Sequence, residues 1–519
     1  MTLSSLLLES GAKSIATSGD AEITSITQDS REAKPGSLFV CNPGTTNDSH
    51  AFIASAKENG AVAAVVWSPE GLRLAEINGL AGIQLPKDRI QFNDGICRLC
   101  NTFFGYPTRS MKMVGVTGTN GKTTTAWLIR DMLTALGLKA GYLGTLGFQI
   151  PGEERELGNT TPYPVELWSL LAEARDKGVE AMAIEVSSHA LAEHRCEFVE
   201  FDAGVFTNLT QDHLDFHGSM EEYEAAKLRL FTELPLQTEK SFVGAINEDD
   251  PVGNRWLSSV SDPKIAFRRG EDHRVFDEDG LQEAGETVEG GLIKLIGRAV
   301  NVSVSSIEIQ FFSQGNGADH TEPFTYPLGG DYNVENGLAA SAGLFALGFT
   351  LDGVKFSLPS VRPVPGRFEA VPNDIGIGIL VDYAHTPDAL EKLLDAVRPL
   401  TKGRVITVFG CGGDRDRTKR PKMAKAASER SDITVVTSDN PRTEDPQSIL
   451  DEVLTGIVAG RESIDIIDRR EAIAHAIKIA QPGDVVVIAG KGHENYQIIG
   501  RTKVPMDDRL MAKEALEAR

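Results

Sequence analysis

The sequence predicts an α/β protein built on parallel sheets and divided into roughly three domains. Three observations predict it. The chain has 519 residues, too many for one hydrophobic core. From residue 109 onward, short apolar runs alternate with helix-period segments, the pattern of successive βαβ units. Within that region Val114-Gly-Val-Thr-Gly-Thr-Asn-Gly-Lys-Thr-Thr124 runs from a β-branched strand through a glycine-rich turn into a helix. That last pattern is a phosphate-binding loop.

The elements follow in order. Met1 to Glu9 lacks a basic n-region and its leucines end at an acid, so it reads as a short amphipathic helix and not a signal peptide. With no apolar run approaching a bilayer span, the expected location is the cytoplasm, without stable membrane association. Strand-like runs at Ile23 to Thr27, Ser37 to Cys41 and Ala61 to Trp67 alternate with helices up to Phe104-Gly-Tyr-Pro-Thr108, which punctuates the first block. Strands are then expected at Val114 to Thr117, Ala181 to Val186 and Ala203 to Thr207. Pro363-Val-Pro365-Gly366 is the second punctuation. After it come apolar strands at Ile379 to Asp382, Arg404 to Phe409, Ile433 to Val436 and Asp484 to Ala489. The boundaries thus fall at 1–108, 109–362 and 363–519.

Composition excludes some functions. A net charge of −22 argues against nucleic acid as a partner, since phosphate neutralisation needs a basic face. It leaves room for small anionic ligands in a local positive pocket. Five cysteines, odd in number and without a secretion signal, argue against a disulfide framework. Cys97-Arg-Leu-Cys100 lacks a second pair at zinc spacing and sits in a helical pattern, so it reads as two ordinary helix cysteines.

In the phosphate loop, Gly118, Thr119, Asn120 and Gly121 supply backbone N–H groups at a helix N-terminus. Lys122 reaches terminal phosphates, and the Thr123 hydroxyl, followed by Thr124, can hold Mg²⁺. The general pattern wants glycine at Val116, a departure. A lysine in the loop suits a nucleoside triphosphate better than a dinucleotide.

Polar motifs sit just past the apolar strands, where open α/β sheets bind ligands. Glu185-Val-Ser-Ser-His189, Thr207-Asn208-Leu-Thr-Gln-Asp-His213 and Asp382-Tyr-Ala-His385 are three of them. Gly410 to Arg417, Ser438-Asp-Asn-Pro-Arg442 and Gly490-Lys-Gly-His-Glu494 are three more. Six such placements argue for one composite site shared by two α/β domains.

With these residues assembled, the chain resembles the Mur ligases, ATP-dependent amino-acid-adding enzymes of peptidoglycan synthesis, nearly end to end. The resemblance rests on Gly118 to Thr124, Asn159-Thr-Thr-Pro162, Glu185 to His189, Asn208 to His213, Ala226-Lys227, Asn333 to Asn336, Pro365-Gly-Arg367-Phe-Glu369 and Asp382 to Asp388. Within the family it is most similar to members that add the third residue to UDP-MurNAc-L-Ala-D-Glu. Asp439-Asn-Pro-Arg442 is similar to the motif that selects meso-2,6-diaminopimelate over lysine there.

The resemblance implies an N-terminal UDP-substrate domain, a central P-loop ATPase-like domain and a C-terminal Rossmann-like domain for the amino acid, in a monomer. It implies contacts to ATP or an ordering of the domain interface from Asn208, Asn336, Arg367, Asp382 and His385. For the UDP-substrate it points to Gln28, Ser30, Thr45, Thr46, Asn47, Asn159, Thr160, Thr161, Ser187, Glu193 and Arg195. Two positions depart from the family: Ser49 stands where glycine is usual and Glu193 where glutamine is common. A carboxylate beside a pyrophosphate is unfavourable unless Arg195 or another cation screens it. The resemblance also implies that Lys227 is carbamylated by CO₂, which turns an ammonium into a metal-binding carboxylate-like group.

The implied chemistry suits these residue types. An amide forms from a carboxylate once ATP has converted it to an acyl phosphate, so no protein nucleophile is needed. Positioning and charge neutralisation then dominate, with Lys122, Glu185, His213 and Lys227 the catalytic candidates. Mg²⁺ prefers hard oxygens, making Thr123, Glu185 and His213 candidates beside the Lys227 carbamate, with the histidine the softer exception. Read singly, Glu185 is a strand-end carboxylate capping a turn, His213 a solvated loop histidine and Lys227 a snorkelling surface lysine. For diaminopimelate, Arg415 and Arg442 can clamp carboxylates, with Pro441 fixing the turn. Asp439, Asn440, the Gly490 carbonyl and Glu494 can accept from the distal ammonium. A lysine-adding enzyme has no use for Arg442, and a folylpolyglutamate-type ligase lacks the first 108 residues. A regulatory ATPase would release phosphate without any amino acid.

Overall fold

The computed structural model describes residues 1–44, 48–270, 291–315 and 317–519. Among these residues the strands form four sheets. The first runs through Ala16–Ser18, Ala81–Gln84, Ala61–Val66, Ser37–Val40 and Ser25–Thr27. It is parallel except at the Ala16–Ser18 edge. The amphipathic helix at the N-terminus spans Leu3–Ser10, burying Leu3 and Leu6 and leaving Leu8 exposed.

The second sheet is the largest. Its parallel centre is ordered Leu292–Val302, Lys264–Arg269, Val243–Asn247, Ala203–Phe206, Lys112–Thr117, Ala181–Glu185, Ala140–Gly144. Antiparallel strands extend it at both ends. Its central strands are nearly all buried because helices cover both faces, which is why they read as continuous apolar runs. Alternate side chains feed two cores. Met113, Met182 and Phe206 face one; Val114, Val116, Ala183 and Val205 face the other. The first of these cores continues into the N-terminal sheet through Leu38, Ile83 and Phe92, where helix Arg89–Phe103 packs on helix Pro164–Asp176. Cys97 and Cys100 lie on that helix as buried free thiols.

The third sheet is ordered Glu369–Ala370, Gly378–Asp382, Val485–Ala489, Val405–Cys411, Ile433–Ser438, Glu462–Asp465. All neighbours after the first pair are parallel, with a core on each face. The strand starting at Val485 inserts between two earlier ones, so the strand order reverses there. Two predicted strand starts, Arg404 and Asp484, fall one residue outside their strands. The two side chains pair instead: Asp484 Oδ1 accepts from Arg404 N at 2.7 Å and Oδ2 from Arg404 Nε at 3.0 Å. A two-stranded ribbon, Tyr496–Ile499 with Thr502–Pro505, lies beside this sheet. Among the described residues no helix is long and apolar enough to cross a membrane.

Candidate active site

The phosphate loop links strand Lys112–Thr117 to helix Lys122–Ala135. Its glycines are required by space and by backbone conformation. Gly118 has φ +149°, and a methyl group there would stand 1.9 Å from Thr207 Oγ1. Gly121 has φ +83°, and a methyl group there would stand 2.3 Å from Asn336 Oδ1. The loop is held from outside. Thr119 N donates to Asn208 O at 2.8 Å, and Asn120 N donates to Asn208 Oδ1 at 2.9 Å. Thr207 Oγ1 donates to Asn120 O at 2.6 Å. Asn336 is buried and donates to Asn333 Oδ1 at 2.8 Å.

Two lysines converge on one carbonyl. Lys122 Nζ donates to Gly118 O at 3.0 Å and Thr119 O at 2.8 Å. Lys227 Nζ donates to the same Gly118 O at 2.7 Å. Lys227 is buried, its Nζ 4.6 Å from the centroid of the Tyr223 ring. Burial first, and the neighbouring Lys122 second, hold its pKa well below that of an ordinary lysine. Burial likewise lowers Lys122. The bland reading of Lys227 as a snorkelling surface lysine is therefore excluded: its helix, Met220–Thr232, packs that face inward.

Glu185 is fully buried at the end of its strand. It accepts from Thr123 Oγ1 at 2.9 Å, from Thr145 N at 2.8 Å and from the Tyr142 hydroxyl. Burial, then the Glu185 charge, raises the Tyr142 pKa well above a free phenol's. Thr123 and Glu185 thus juxtapose two hard oxygens, a partial set that fits Mg²⁺. His213 is half-exposed with φ +52° and its ring is 4.8 Å from that of His189. Among the described residues no three His, Cys, Asp or Glu side chains form a ready metal cage.

A cavity of about 1170 Å³ unites these groups. Thr119 to Thr124, Glu185, Asn208, His213, Lys227 and Asn336 line it from the central sheet. Arg367, Asp382 and Lys392 line it from the C-terminal side. The Asp382 carboxylate accepts from Phe368 N and Ala384 N, each at 2.8 Å, and burial raises its pKa. Arg367 Nε is buried without a hydrogen-bond partner. His385 is exposed, outside the lining, with Nδ1 2.9 Å from Tyr383 O.

Asn159, Thr160, Thr161, Ser187 and Arg195 line the same cavity. Thr161 Oγ1 donates to Glu185 O at 2.7 Å and accepts from Ser187 N at 3.0 Å. Glu193 is screened as the sequence requires, and by two cations. Arg195 Nε donates to it at 2.8 Å and Arg89 Nη1 at 2.7 Å. Burial works to raise the Glu193 pKa, but these guanidiniums hold it below the ordinary carboxylate value. Arg89 also donates to Pro43 O at 3.1 Å, next to Asn42, whose Nδ2 donates to Gln28 Oε1 at 3.0 Å. Gln28 is therefore tied to the cavity wall through Arg89, whereas Ser30 is buried in the first sheet's periphery, its carbonyl accepting from Asn59 Nδ2. Thr45, Thr46 and Asn47 lie outside the described residues. Ser49 Oγ donates to Asn42 O at 2.6 Å.

A second cluster of polar side chains sits past the C-terminal strand ends. Arg442, with φ +51°, donates through Nη1 to Gly413 O at 2.8 Å. A methyl group at Gly412 would stand 2.9 Å from Arg442 Nη1 and 3.7 Å from Arg415 Cγ, so the two arginines meet over that glycine. Neither has a carboxylate partner among the described residues. Asn440 Nδ2 donates to Glu494 Oε2 at 3.0 Å. A methyl group at Gly490 would lie 3.0 Å from Asp439 Oδ2. Pro441 carries the turn between Asn440 and Arg442, and its carbonyl accepts from Glu444 N at 3.1 Å.

Three family models match in order: a Mur ligase catalytic domain over residues 22–81, a Mur ligase middle domain over 116–344 and a Mur ligase glutamate-ligase domain over 366–492. A UDP-N-acetylmuramoyl-L-alanyl-D-glutamate--2,6-diaminopimelate ligase of Gloeobacter violaceus is 44% identical, covering 96% of this chain and 95% of its own. One of Geobacillus thermodenitrificans is 41% identical, covering 96% of each. A solved structure of a ligase with that activity superposes with a TM-score of 0.66 at 30% identity, over 96% of this chain and 95% of its own.

The chain belongs to the Mur ligase family.

Several residues that shape this Mur ligase site have no local signature. Arg89 sits in ordinary helical sequence. Tyr142 and Thr145, which hold Glu185, come from the neighbouring strand and turn. Only the parallel pairing of Ala181–Glu185 with Ala140–Gly144 brings them together.

Proposed function

We propose that this chain adds meso-2,6-diaminopimelate to UDP-MurNAc-L-Ala-D-Glu, driven by ATP, as a cytoplasmic step of peptidoglycan synthesis. Residues 1–108 form the UDP-substrate unit, 109–362 the ATP unit and 363–519 the amino-acid unit of a monomer. The observation that carries the reading is the charge pattern past the C-terminal strand ends. Two guanidiniums without carboxylate partners among the described residues, Arg415 and Arg442, meet over Gly412, while Asp439 and Glu494 come from the neighbouring strand-end turns. That pattern complements an amino acid with both a distal carboxylate and a distal ammonium.

The substrate carboxylate oxygen attacks the γ-phosphorus of ATP, and the bond to the ADP oxygen breaks. The amine of diaminopimelate then attacks the acyl carbon, phosphate leaves and the amine loses a proton. Gly118 to Thr124 present backbone N–H groups to the phosphates, and Lys122 turns from its own loop carbonyls to the γ-phosphate. Thr123 and Glu185, with His213 and a Lys227 carbamate lining the same cavity, would hold Mg²⁺, which would supply charge neutralisation for the transferring group. Asn208, Asn336, Arg367, Asp382 and His385 order the nucleotide or the joint between the two sheets. Thr160, Thr161, Ser187 and Arg195, with Gln28 and Ser30 and the 45–47 turn, take the UDP-muramoyl moiety.

The surroundings of Lys227 support the carbamylation that the family resemblance implies. The nucleophile toward CO₂ is the neutral amine, and burial beside Lys122 favours that form. The resulting carbamate sets an anion beside the Lys122 side chain. A carbamate carbon resonance after exchange with ¹³C-bicarbonate, lost in Lys227→Ala, is the expected result; its absence in the active wild type would overturn the modification.

The activity is tested by phosphate release with ATP, Mg²⁺ and UDP-MurNAc-L-Ala-D-Glu. Release should require meso-diaminopimelate and yield the matching tripeptide mass. Release with L-lysine instead would keep the ligase and overturn the Arg442 reading. Release without any amino acid would overturn both.

A further inference from the structure

The amino-acid pocket contains a cation that its recognition logic does not require. Lys491 follows Gly490, and its side chain is wholly shielded from solvent, 0% exposed. Its Nζ lies 2.9 Å from Glu494 Oε2, 3.1 Å from Asn440 Oδ1 and 4.0 Å from Asp439 Oδ1. A buried ammonium is expensive unless each of its protons is matched. Here Glu494 and Asn440 accept hydrogen bonds from it and Asp439 adds a longer charge contact, and all three are side chains assigned to the incoming amino acid.

The consequence falls on Asn440. Its Oδ1 accepts from Lys491 Nζ and also from Ile498 N, at 2.8 Å. Both carbonyl lone pairs are therefore engaged, and the flipped amide would set its NH₂ against two donors. Its Nδ2 gives one hydrogen to Glu494 Oε2 and keeps the other free. Asn440 thus faces the pocket as a donor. The sequence-based expectation that it accepts from the distal ammonium is corrected: that role is left to Asp439, the Gly490 carbonyl and the second oxygen of Glu494. A donor beside Arg442 suits a carboxylate.

We propose that Lys491 is a positioning residue for amino-acid selection: it locks the Asn440 amide as a donor toward the distal carboxylate and holds Glu494 as an acceptor for the distal ammonium. The inference rests on the diaminopimelate reading of this pocket. Electrostatics agree with the geometry. Burial works to raise the Glu494 pKa, but Lys491 and Asn440 hold it below the ordinary value. Also facing Glu494 are His493 on its own turn, Tyr383 after the Gly378–Asp382 strand, and Arg469 from its helix.

The test is steady-state kinetics of Lys491→Met, which keeps the stem and removes the charge. The expected result is a KM for meso-diaminopimelate raised by about tenfold or more, with the KM for ATP unchanged. A second readout is the pH profile. Without Lys491 the burial effect on Glu494 is opposed chiefly by the Asn440 hydrogen bond, so its pKa rises. The KM for diaminopimelate in the variant should then fall as pH rises through the raised Glu494 pKa, a fall displaced to higher pH than any in the wild type. If Lys491→Met does not fold, Lys491→Arg carries the test. A planar cation cannot bridge Asn440 Oδ1 and Glu494 Oε2 in the same geometry, so its KM for diaminopimelate should also rise selectively. A folded variant with wild-type KM and pH profile overturns the inference. A wild type without diaminopimelate-dependent phosphate release overturns the underlying reading instead.

Discussion

At the scale of single residues, the site is governed by which polar groups are left without water. Glu193 shows the logic. A buried carboxylate is tolerated there because Arg195 and Arg89 both hold it. Arg89→Ala should raise the KM for the UDP-substrate by about three- to tenfold and leave the KM for ATP unchanged, since one guanidinium remains and the other tether to Pro43 O is lost. Equal effects on both substrates would contradict this assignment. The phosphate loop gives a sharper case. Gly118→Ala puts a methyl group against Thr207 Oγ1 in a conformation that costs about 1–3 kcal/mol for other residues. ATP-dependent turnover should be lost before the fold is, read by comparing activity with the thermal midpoint. The loop was legible in the sequence because strand, glycines, lysine and hydroxyls are contiguous and the chemistry dictates their spacing. Arg89 was not, because its partner Glu193 is 104 positions away and no periodicity links them.

At the scale of elements, the apolar runs predicted the parallel strands closely, since strands buried on both faces need unbroken hydrophobic residues. What escaped is how helices are fixed to those sheets. Arg469, at the start of helix Arg469–Ile479, pairs with Asp508, at the start of helix Asp508–Glu517, and both are fully buried. Nε donates to Oδ1 at 2.8 Å, Nη2 to Oδ2 at 2.6 Å, and Nη2 also to Ala489 O at 3.0 Å. The pair thereby fastens the last helix to the strand end that precedes Gly490. In sequence it is two surface-type residues in two amphipathic helices. Removing one partner strands a buried charge, so Asp508→Ala should destabilise by about 3–5 kcal/mol in chemical denaturation. The double change Arg469→Met with Asp508→Leu should recover most of that loss, because an apolar pair of similar volume avoids the desolvation cost. A near-neutral single variant would mean that the pair is solvated.

At the scale of the molecule, the cavity joins two sheets that are linked by one crossing of the chain. Before the crossing, Arg362 is clamped to buried Asp131 through its backbone N at 2.9 Å, Nε at 3.0 Å and Nη2 at 2.8 Å. After it, Gly366 packs so tightly on Gly492 and His493 that a methyl group would stand 2.1 Å from His493 N. The crossing is therefore anchored at both ends, and any rotation must be absorbed between residues 363 and 366. The cavity, about 1170 Å³, exceeds the roughly 300–1,000 Å³ typical of a site closed around its ligand. Its walls carry phosphate-binding groups on one side and Arg367, Asp382 and Lys392 on the other. A nucleotide that touches both walls binds a closed arrangement better than an open one and must shift the population toward it. Small-angle scattering should accordingly show a smaller radius of gyration with a non-hydrolysable ATP analogue and both co-substrates than without ligand. Gly118→Ala, which cannot seat the phosphates, should show no contraction under the same conditions. An unchanged radius for the wild type would mean that the two walls are already at their working separation, with the nucleotide held by the central sheet alone.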